Sequence, residues 1–153
     1  MSKLAETFWE RWQGTKAENY TATGLTRDDT DAMEVLHAES FARPWTGGEF
    51  ARLLDESDLL AIGLRRREDA APVAFVLIRT VPVAGESEVL TIAVAKAKQR
   101  RGLGFKLLDE ALRQLKTDGL ESLFLEVDEA NVSARKLYDR LGFEVVGERA
   151  GYY

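Results

Sequence analysis

The sequence contains no cysteine and a single histidine, His37, among its 153 residues. Without cysteine, the chain cannot form a disulfide framework, a cysteine-based zinc site or a cysteine nucleophile. One histidine argues against a metal centre built from several histidines and against a hydrolase of the Ser/His/Asp type. We therefore expect no metal in the functional site.

Long apolar runs and an excess of positive charge are missing as well. No run approaches the roughly 20 residues that span a bilayer, and residues 1–13 lack the apolar centre of a signal peptide. The 26 acidic and 21 basic side chains give a net charge of −5, which argues against a basic nucleic-acid-binding module. We expect a cytoplasmic protein that contacts neither membrane nor nucleic acid directly.

Length and composition fit one folded unit. A domain has typically about 150 residues, and a hydrophobic fraction of 45% argues against disorder. Apolar residues at helical spacing near the start predict an N-terminal helical extension over residues 1–19. The remainder, residues 20–153, is expected to form a single domain.

Hydrophobic periodicity predicts an alternation of strands and helices along the domain. The capping-box spacing from Thr46 to Glu49 marks one helix start, and Asn131 and Gly142 mark the start and end of another. The predicted strands are residues 20–25, 59–64, 73–81, 88–94, 120–127 and 143–147. The predicted helices are residues 30–41, 46–54, 103–115 and 131–141. This order indicates an α/β fold, with a mixed sheet and helices on both faces.

The most informative stretch is Gln-Arg-Arg-Gly-Leu-Gly-Phe at residues 99–105, between a strand and the long helix. Glycines let the backbone approach a ligand, and the amides and dipole at a helix start favour an anion. Four basic residues lie within six positions and attract a polyanion, namely Lys96, Lys98, Arg100 and Arg101. Neither the Walker loop nor the dinucleotide fingerprint fits the spacing. The glycines alone equally suit a plain tight turn, so the flanking residues decide.

With its flanks, the stretch resembles the acyl-CoA-binding motif of the Gcn5-related N-acetyltransferase (GNAT) superfamily, Gln/Arg-x-x-Gly-x-Gly/Ala. The likeness extends upstream to Ile92-Ala93-Val94 and downstream to Leu125-Glu126-Val127, Asn131 and Leu137-Tyr138. It runs from about residue 20 to residue 153. The joint pattern is most similar to the bacterial ribosomal-protein-alanine N-acetyltransferases, the RimI-like branch. The residues His37, Phe41 and Pro44-Trp45 also resemble the first helix and the following loop of that branch.

The resemblance implies a splayed sheet, in which the parallel strands 88–94 and 120–127 separate and admit the pantetheine arm of acetyl-CoA. It assigns the cofactor to Ile92, Ala93, Val94, Arg100, Arg101, Gly102, Leu103, Gly104, Phe105 and Asn131. The Val94 N–H is the candidate donor to the oxygen that gains negative charge during transfer. Asn131 equally fits a plain N-cap.

Glu126 and Tyr138 match the family's base and acid positions. Transfer to an amine needs a base for the amine and a proton for the departing thiolate. Glu126 interrupts an apolar strand, where a carboxylate without a partner is costly. An ordinary edge carboxylate and a core tyrosine remain the alternatives at these two positions.

The resemblance implies direct transfer, in a ternary complex, from acetyl-CoA to the α-amino group of a protein N-terminus. The implied acceptor is the N-terminal alanine of a small-subunit ribosomal protein, with Trp45, Tyr152 and Tyr153 near it. Transfer to a lysine side chain or a small-molecule amine, and a non-catalytic CoA-binding module, are the alternatives. The family pattern continues into one more strand, so we expect a domain that lacks its final strand or a sheet that closes differently.

Overall fold

One sheet carries every strand in the part of the chain that the structure, a computed structural model, describes, residues 19–147. The strands lie side by side in the order β1 (Thr21–Gly24), β2 (Leu59–Arg65), β3 (Ala74–Val81), β4 (Glu86–Val94) and β5 (Ser122–Phe124). Neighbours from β1 to β4 are antiparallel, whereas β5 is parallel to β4. The mixed sheet is confirmed. The predicted extension over residues 1–19 lies, except for Asn19, outside the described residues.

Helices cover both faces of the sheet, as predicted. They are α1 (Thr30–Ser40), α2 (Gly47–Leu54), α3 (Leu103–Thr117) and α4 (Val132–Arg140). On one face, Met33 of α1 and Phe50 of α2 are fully buried against Phe75 and Leu77 of β3. On the other face, the apolar side of α3 packs on alternate residues of β2 and β3, such as Leu64 and Val76. Successive side chains of a strand point to opposite faces, so β3 contributes to both cores.

The predicted capping box at the start of α2 is present. The Thr46 hydroxyl accepts from the Glu49 N–H at 3.2 Å, and the Glu49 carboxylate accepts from the Thr46 N–H at 3.1 Å. These reciprocal bonds satisfy two amides that the helix itself leaves without partners. They also fix where the loop between α1 and α2 ends.

Two predicted strands are wrong in extent or in kind. The apolar run 120–127 forms only the three-residue β5, and Phe124 and Val127 are 42% and 40% exposed. Residues 143–147 form no strand, and Val145 and Val146 are 88% and 80% exposed. A strand persists only where a neighbour exchanges hydrogen bonds with it. The short β5 offers little edge for such pairing.

Candidate active site

The carboxyl-terminal half of β4 has no partner in β5. The two strands pair only at Glu86↔Ser122, Ser87↔Leu123 and Glu88↔Phe124. Beyond this point β4 continues for six residues, 89–94, alongside the gap that β5 leaves. The splayed sheet is therefore confirmed. We call residues 89–94 the free half of β4.

A β-bulge lies where the two strands part. Leu77 of β3 pairs with Thr91, but Ile78 pairs with Val89, so Leu90 is an extra residue on β4. A bulge bends its strand and increases the local twist. The bend in β4 thus comes two residues after its last pair with β5, where divergence of the strands begins.

Two backbone N–H groups of the free half point into the gap. The Ala95 N–H donates to the Val73 carbonyl at 2.8 Å, on the β3 side. Because the peptide is trans, the Val94 carbonyl points the opposite way, and it accepts from Gln99 Nε2 at 3.2 Å. In an extended strand the N–H and C=O of one residue share a side, and sides alternate. The N–H groups of Ile92 and Val94 therefore face the gap, and that of Ala93 faces β3.

The loop that follows β4 opens the long helix in an unusual backbone conformation. Arg100 and Gly102 both have positive φ, 63° and 78°. Residues other than glycine rarely adopt this backbone conformation. Gly102 is the N-cap of α3, and no side chain caps this helix start. Leu103 and Phe105 are 1% and 2% exposed, so only their backbones can face a ligand. Amides at such a start, with the helix dipole, favour an anion.

Gly104 joins this loop to the helix that carries Tyr138. A Cβ at position 104 would lie 3.1 Å from Leu137 Cδ2, tighter than ordinary contact. The glycine therefore lets α4 pack closely on the first turn of α3. This packing role adds to the cofactor role expected from the sequence. It places the predicted cofactor loop next to the helix that carries Tyr138.

Tyr138 is half-buried in the α3-side core, with its ring edge-on to Phe143 at 5.7 Å between centroids. Burial raises the pKa of the phenol above its ordinary value of 10.0. The hydroxyl therefore holds its proton at neutral pH and can act as a donor. The position suits both the predicted acid and the alternative of a core tyrosine.

Glu126 lies two residues beyond the end of β5 and is exposed. The expectation of a carboxylate within a buried strand is wrong, because β5 ends at Phe124. The cost of burial thus gives no argument for a special role, and Glu126 as base remains a prediction.

Asn131 caps α4, as the sequence predicted for one of its two roles. Its side-chain oxygen accepts from the Ala134 N–H at 3.1 Å. The cap uses the oxygen of the amide, whereas the NH2 group is a separate donor. The cofactor contact implied for Asn131 remains a prediction.

Trp45 lies in the loop between α1 and α2, on the face of the sheet opposite α3. Its ring stacks on His37 at 4.9 Å between centroids. It also lines an open pocket of about 420 Å³ with Glu49, Arg52, Leu53 and Glu56. Tyr152 and Tyr153, the other predicted acceptor-side residues, lie outside the described residues.

Comparison with known proteins decides the family. The sequence profile of the Acetyltransferase (GNAT) family matches residues 26–143. The chain belongs to this GNAT family. The match includes the free half of β4, the loop that precedes α3, and helix α4. The resemblance seen in the sequence is therefore confirmed.

The relatives of this GNAT chain include alanine N-acetyltransferases. The [Ribosomal protein bS18]-alanine N-acetyltransferase of Haemophilus ducreyi is 34% identical over 129 residues, 84% of this chain and 86% of that protein. The ribosomal-protein-S18-alanine N-acetyltransferase from Escherichia coli has a crystal structure with a TM-score of 0.78 and 30% identity, covering 88% and 83% of the two chains. These relatives confirm the likeness to that branch.

The fold recurs in a more distant enzyme. The PaiA N-acetyltransferase from Thermoplasma acidophilum, solved in complex with coenzyme A, has a TM-score of 0.74 and 17% identity, covering 86% of this chain and 93% of that one. At this identity the likeness concerns the fold alone. The GNAT architecture thus extends well beyond close relatives.

Residues 19–147 contain neither a membrane-spanning helix nor a cluster of metal-binding side chains. No helix in this range is long and apolar enough to cross a membrane. No group of three or more His, Cys, Asp or Glu in the same range could hold a metal ion.

Proposed function

We propose that this GNAT enzyme transfers the acetyl group of acetyl-CoA to the α-amino group of a protein N-terminus, namely the N-terminal alanine of ribosomal protein bS18. The observation that carries the proposal is the free half of β4, with its inward N–H groups at Ile92 and Val94, leading directly into the uncapped start of α3. The alanine N-acetyltransferase activity of the relatives supports the choice of acceptor. A ribosomal acceptor would place the reaction in the cytoplasm.

The residues present fit acetyl-CoA, which supplies the activated acetyl group as a thioester. Ile92 and Val94 would hold the pantetheine arm through backbone hydrogen bonds, as a sheet edge holds an added strand. Backbone amides of residues 100–105 would bind the diphosphate, with the Arg100 and Arg101 side chains adding positive charge. Asn131 would contact the cofactor through its NH2 group.

Three groups of this chain would handle charge and protons. The Val94 N–H donates into the gap, where the acetyl oxygen gains negative charge. Tyr138 holds the proton that the departing sulfur needs. An α-amino group has a pKa near 8, so about a tenth is neutral at pH 7 and an exposed carboxylate such as Glu126, acting through water, suffices as base.

The acceptor is tested with peptides that carry one kind of amine each. One set has a free N-terminus, begins with different residues and lacks lysine; the other has a blocked N-terminus and one lysine. After incubation with acetyl-CoA, tandem mass spectrometry locates the added mass. We expect the label on the α-amino group of the peptide that begins with the bS18 sequence. Labelling of the lysine peptides alone would contradict the proposal.

A further inference from the structure

The single histidine of the chain lies on α1 and is buried, and each of its ring nitrogens has a hydrogen-bond partner. His37 is 2% exposed. Its Nδ1 accepts from the Trp45 backbone N–H at 3.0 Å, and its Nε2 lies 3.0 Å from the Thr91 hydroxyl. A neutral imidazole carries one proton, so a ring that accepts at Nδ1 has its hydrogen on Nε2 and donates it to Thr91.

The two partners belong to different parts of the candidate site. Trp45 belongs to the loop between α1 and α2, whereas Thr91 lies in the free half of β4, directly before Ile92. The ring is also stacked on Phe41 and Trp45, at 4.2 and 4.9 Å between centroids, and meets the Phe50 ring edge-on at 5.4 Å. One side chain of fixed orientation thus ties the loop to the strand that borders the gap.

The His37 contacts lie on the face of the sheet opposite the predicted cofactor loop. α1, α2 and their loop cover the opposite face of the sheet from α3 and α4. Under the proposed function, a cofactor held at the start of α3 would reach the free half of β4 from the α3 side. The sheet would then lie between it and the other face, so the amine would approach from the side of Trp45.

We propose that His37 is a positioning residue for the acceptor: it holds the Trp45 loop against the free half of β4 and thereby shapes the opening for the first residue of the peptide. The inference rests on the proposed function. His37 itself touches neither substrate, because it is buried beneath the loop.

The charge state of the ring matters for the tie. Burial lowers the pKa of His37 below its ordinary value of 6.5, while the negative charge of Glu49 in α2 acts in the opposite direction. The strands facing the ring contribute the uncharged Thr91 hydroxyl and, at 6.4 Å, the Phe75 ring. A second proton would sit on Nδ1 and face the Trp45 N–H, so the loop contact would be lost on acidification.

Three substitutions separate the two ring contacts. His37→Asn places an acceptor near the position of Nδ1, His37→Gln places a donor near that of Nε2, and His37→Phe keeps a ring but removes both contacts. We expect His37→Phe to raise the KM for the peptide about tenfold, the equivalent of one good hydrogen bond, with the KM for acetyl-CoA nearly unchanged. His37→Asn should recover most of this loss, and His37→Gln should recover little.

Several results would overturn the inference: an unchanged peptide KM in His37→Phe, an equal rise in both KM values, or better recovery with Gln than with Asn. Should wild-type enzyme acetylate none of the peptides, the proposed function fails first and takes this inference with it. Active wild type with an unchanged His37→Phe variant defeats the positioning role alone.

If His37→Phe does not fold, nuclear magnetic resonance of ¹⁵N-labelled wild-type protein tests the His37 contacts instead. The inference predicts the Nε2–H tautomer at neutral pH and a Trp45 amide signal that shifts as the ring is protonated. The Nδ1–H tautomer, or a Trp45 amide insensitive to that titration, would contradict it.

Discussion

Glu126 and Tyr138 differ in their surroundings, and at the scale of single residues this difference separates their proposed roles. The phenol of Tyr138 is half-buried and its raised pKa keeps it protonated, which suits an acid. The carboxylate of Glu126 is exposed beyond β5, which suits a base that works through water. Acid and base chemistry at one pH requires environments that differ in this way.

Tyr138→Phe removes only the hydroxyl and should lower kcat by roughly 10²–10⁴-fold, the usual contribution of a positioned acid. Acetyl-CoA affinity, measured by calorimetry, should stay nearly the same. Tyr20→Phe makes the same chemical change at a tyrosine that is 4% exposed, and it should leave kcat near the wild-type value. A Tyr138→Phe enzyme with full kcat would leave Tyr138 as a core residue.

Glu126→Gln keeps the size of the side chain and removes its charge. We expect kcat/KM for the peptide to fall about 10²-fold near neutral pH, and the loss to shrink at alkaline pH, where more of the amine is already neutral. Glu129→Gln is the matched control, since Glu129 is exposed in the same segment. Equal effects of the two substitutions would show a general loss of charge instead of a specific base.

One buried ion pair shows where residue-level prediction ends. Arg65 donates to both carboxylate oxygens of Asp29, at 3.2 and 3.1 Å, and to the Thr23 hydroxyl and the Ala70 carbonyl. In the sequence, Arg65 begins a run of three arginines, and nothing distinguishes it from its neighbours. Its partner is 36 positions away, so the pairing depends on the tertiary fold.

At the scale of elements, the start of α3 depends on the backbone of Gly102. A residue other than glycine at a φ of 78° is strained by about 1 kcal/mol. Gly102→Ala should therefore lower the free energy of unfolding by that amount and also weaken acetyl-CoA binding by about tenfold, because the shifted backbone misplaces the amides. Calorimetry and urea unfolding measure the two effects.

Gly119→Ala is the matched control for that change. Gly119 has a φ of 83° just after the same helix, and a Cβ there meets nothing within 4 Å. We expect a similar loss of stability with unchanged acetyl-CoA affinity. If Gly102→Ala binds acetyl-CoA as tightly as Gly119→Ala does, the start of α3 is not the diphosphate site.

Burial of His37, which joins the Trp45 loop to β4, makes the free energy of unfolding depend on pH. Because the pKa of His37 is lower in the folded than in the unfolded state, the unfolded chain binds more protons below the ordinary value of 6.5. The contribution of His37 to the free energy of unfolding should be constant above that pH and be lost as pH drops below it. Urea unfolding followed from about pH 7.5 to 5.5 measures this, and His37→Phe should lack this loss.

Elements that depend on local pattern could be predicted, and those that depend on partners could not. The apolar spacing from Leu103 to Leu115 and the capping box at Thr46 gave helices close to those observed. The run 120–127 was equally apolar, but its extent as a strand depends on β4, which diverges after Glu88. A strand at residues 143–147 would likewise need a neighbouring strand, and the three-residue β5 offers little edge for it.

The candidate site was foreseen through resemblance more than through pattern. The spacing of residues 99–105 indicated an anion site, and the likeness to GNAT enzymes named the cofactor. Neither indicated that Ala93, between Ile92 and Val94, turns its N–H toward β3, because this depends on the register of β4 with β3. Nor did they indicate that Gly104 seats α4 through Leu137.

At the scale of the whole molecule, the sheet separates two pairs of helices. α3 and α4 cover the face from which the cofactor would enter, and α1, α2 and Trp45 cover the other. Under the proposed function, both substrates could then be present at once, as direct transfer in a ternary complex requires.

The central claim is that the start of α3 binds the diphosphate of acetyl-CoA while its acyl arm lies along the free half of β4. Residue-resolved amide hydrogen exchange, with and without saturating acetyl-CoA, tests this most directly. The account predicts slower exchange at Ile92, Val94 and residues 100–105, with little change at Ala93, whose N–H already faces β3. Unchanged exchange at Ile92, Val94 and the loop amides would contradict the account.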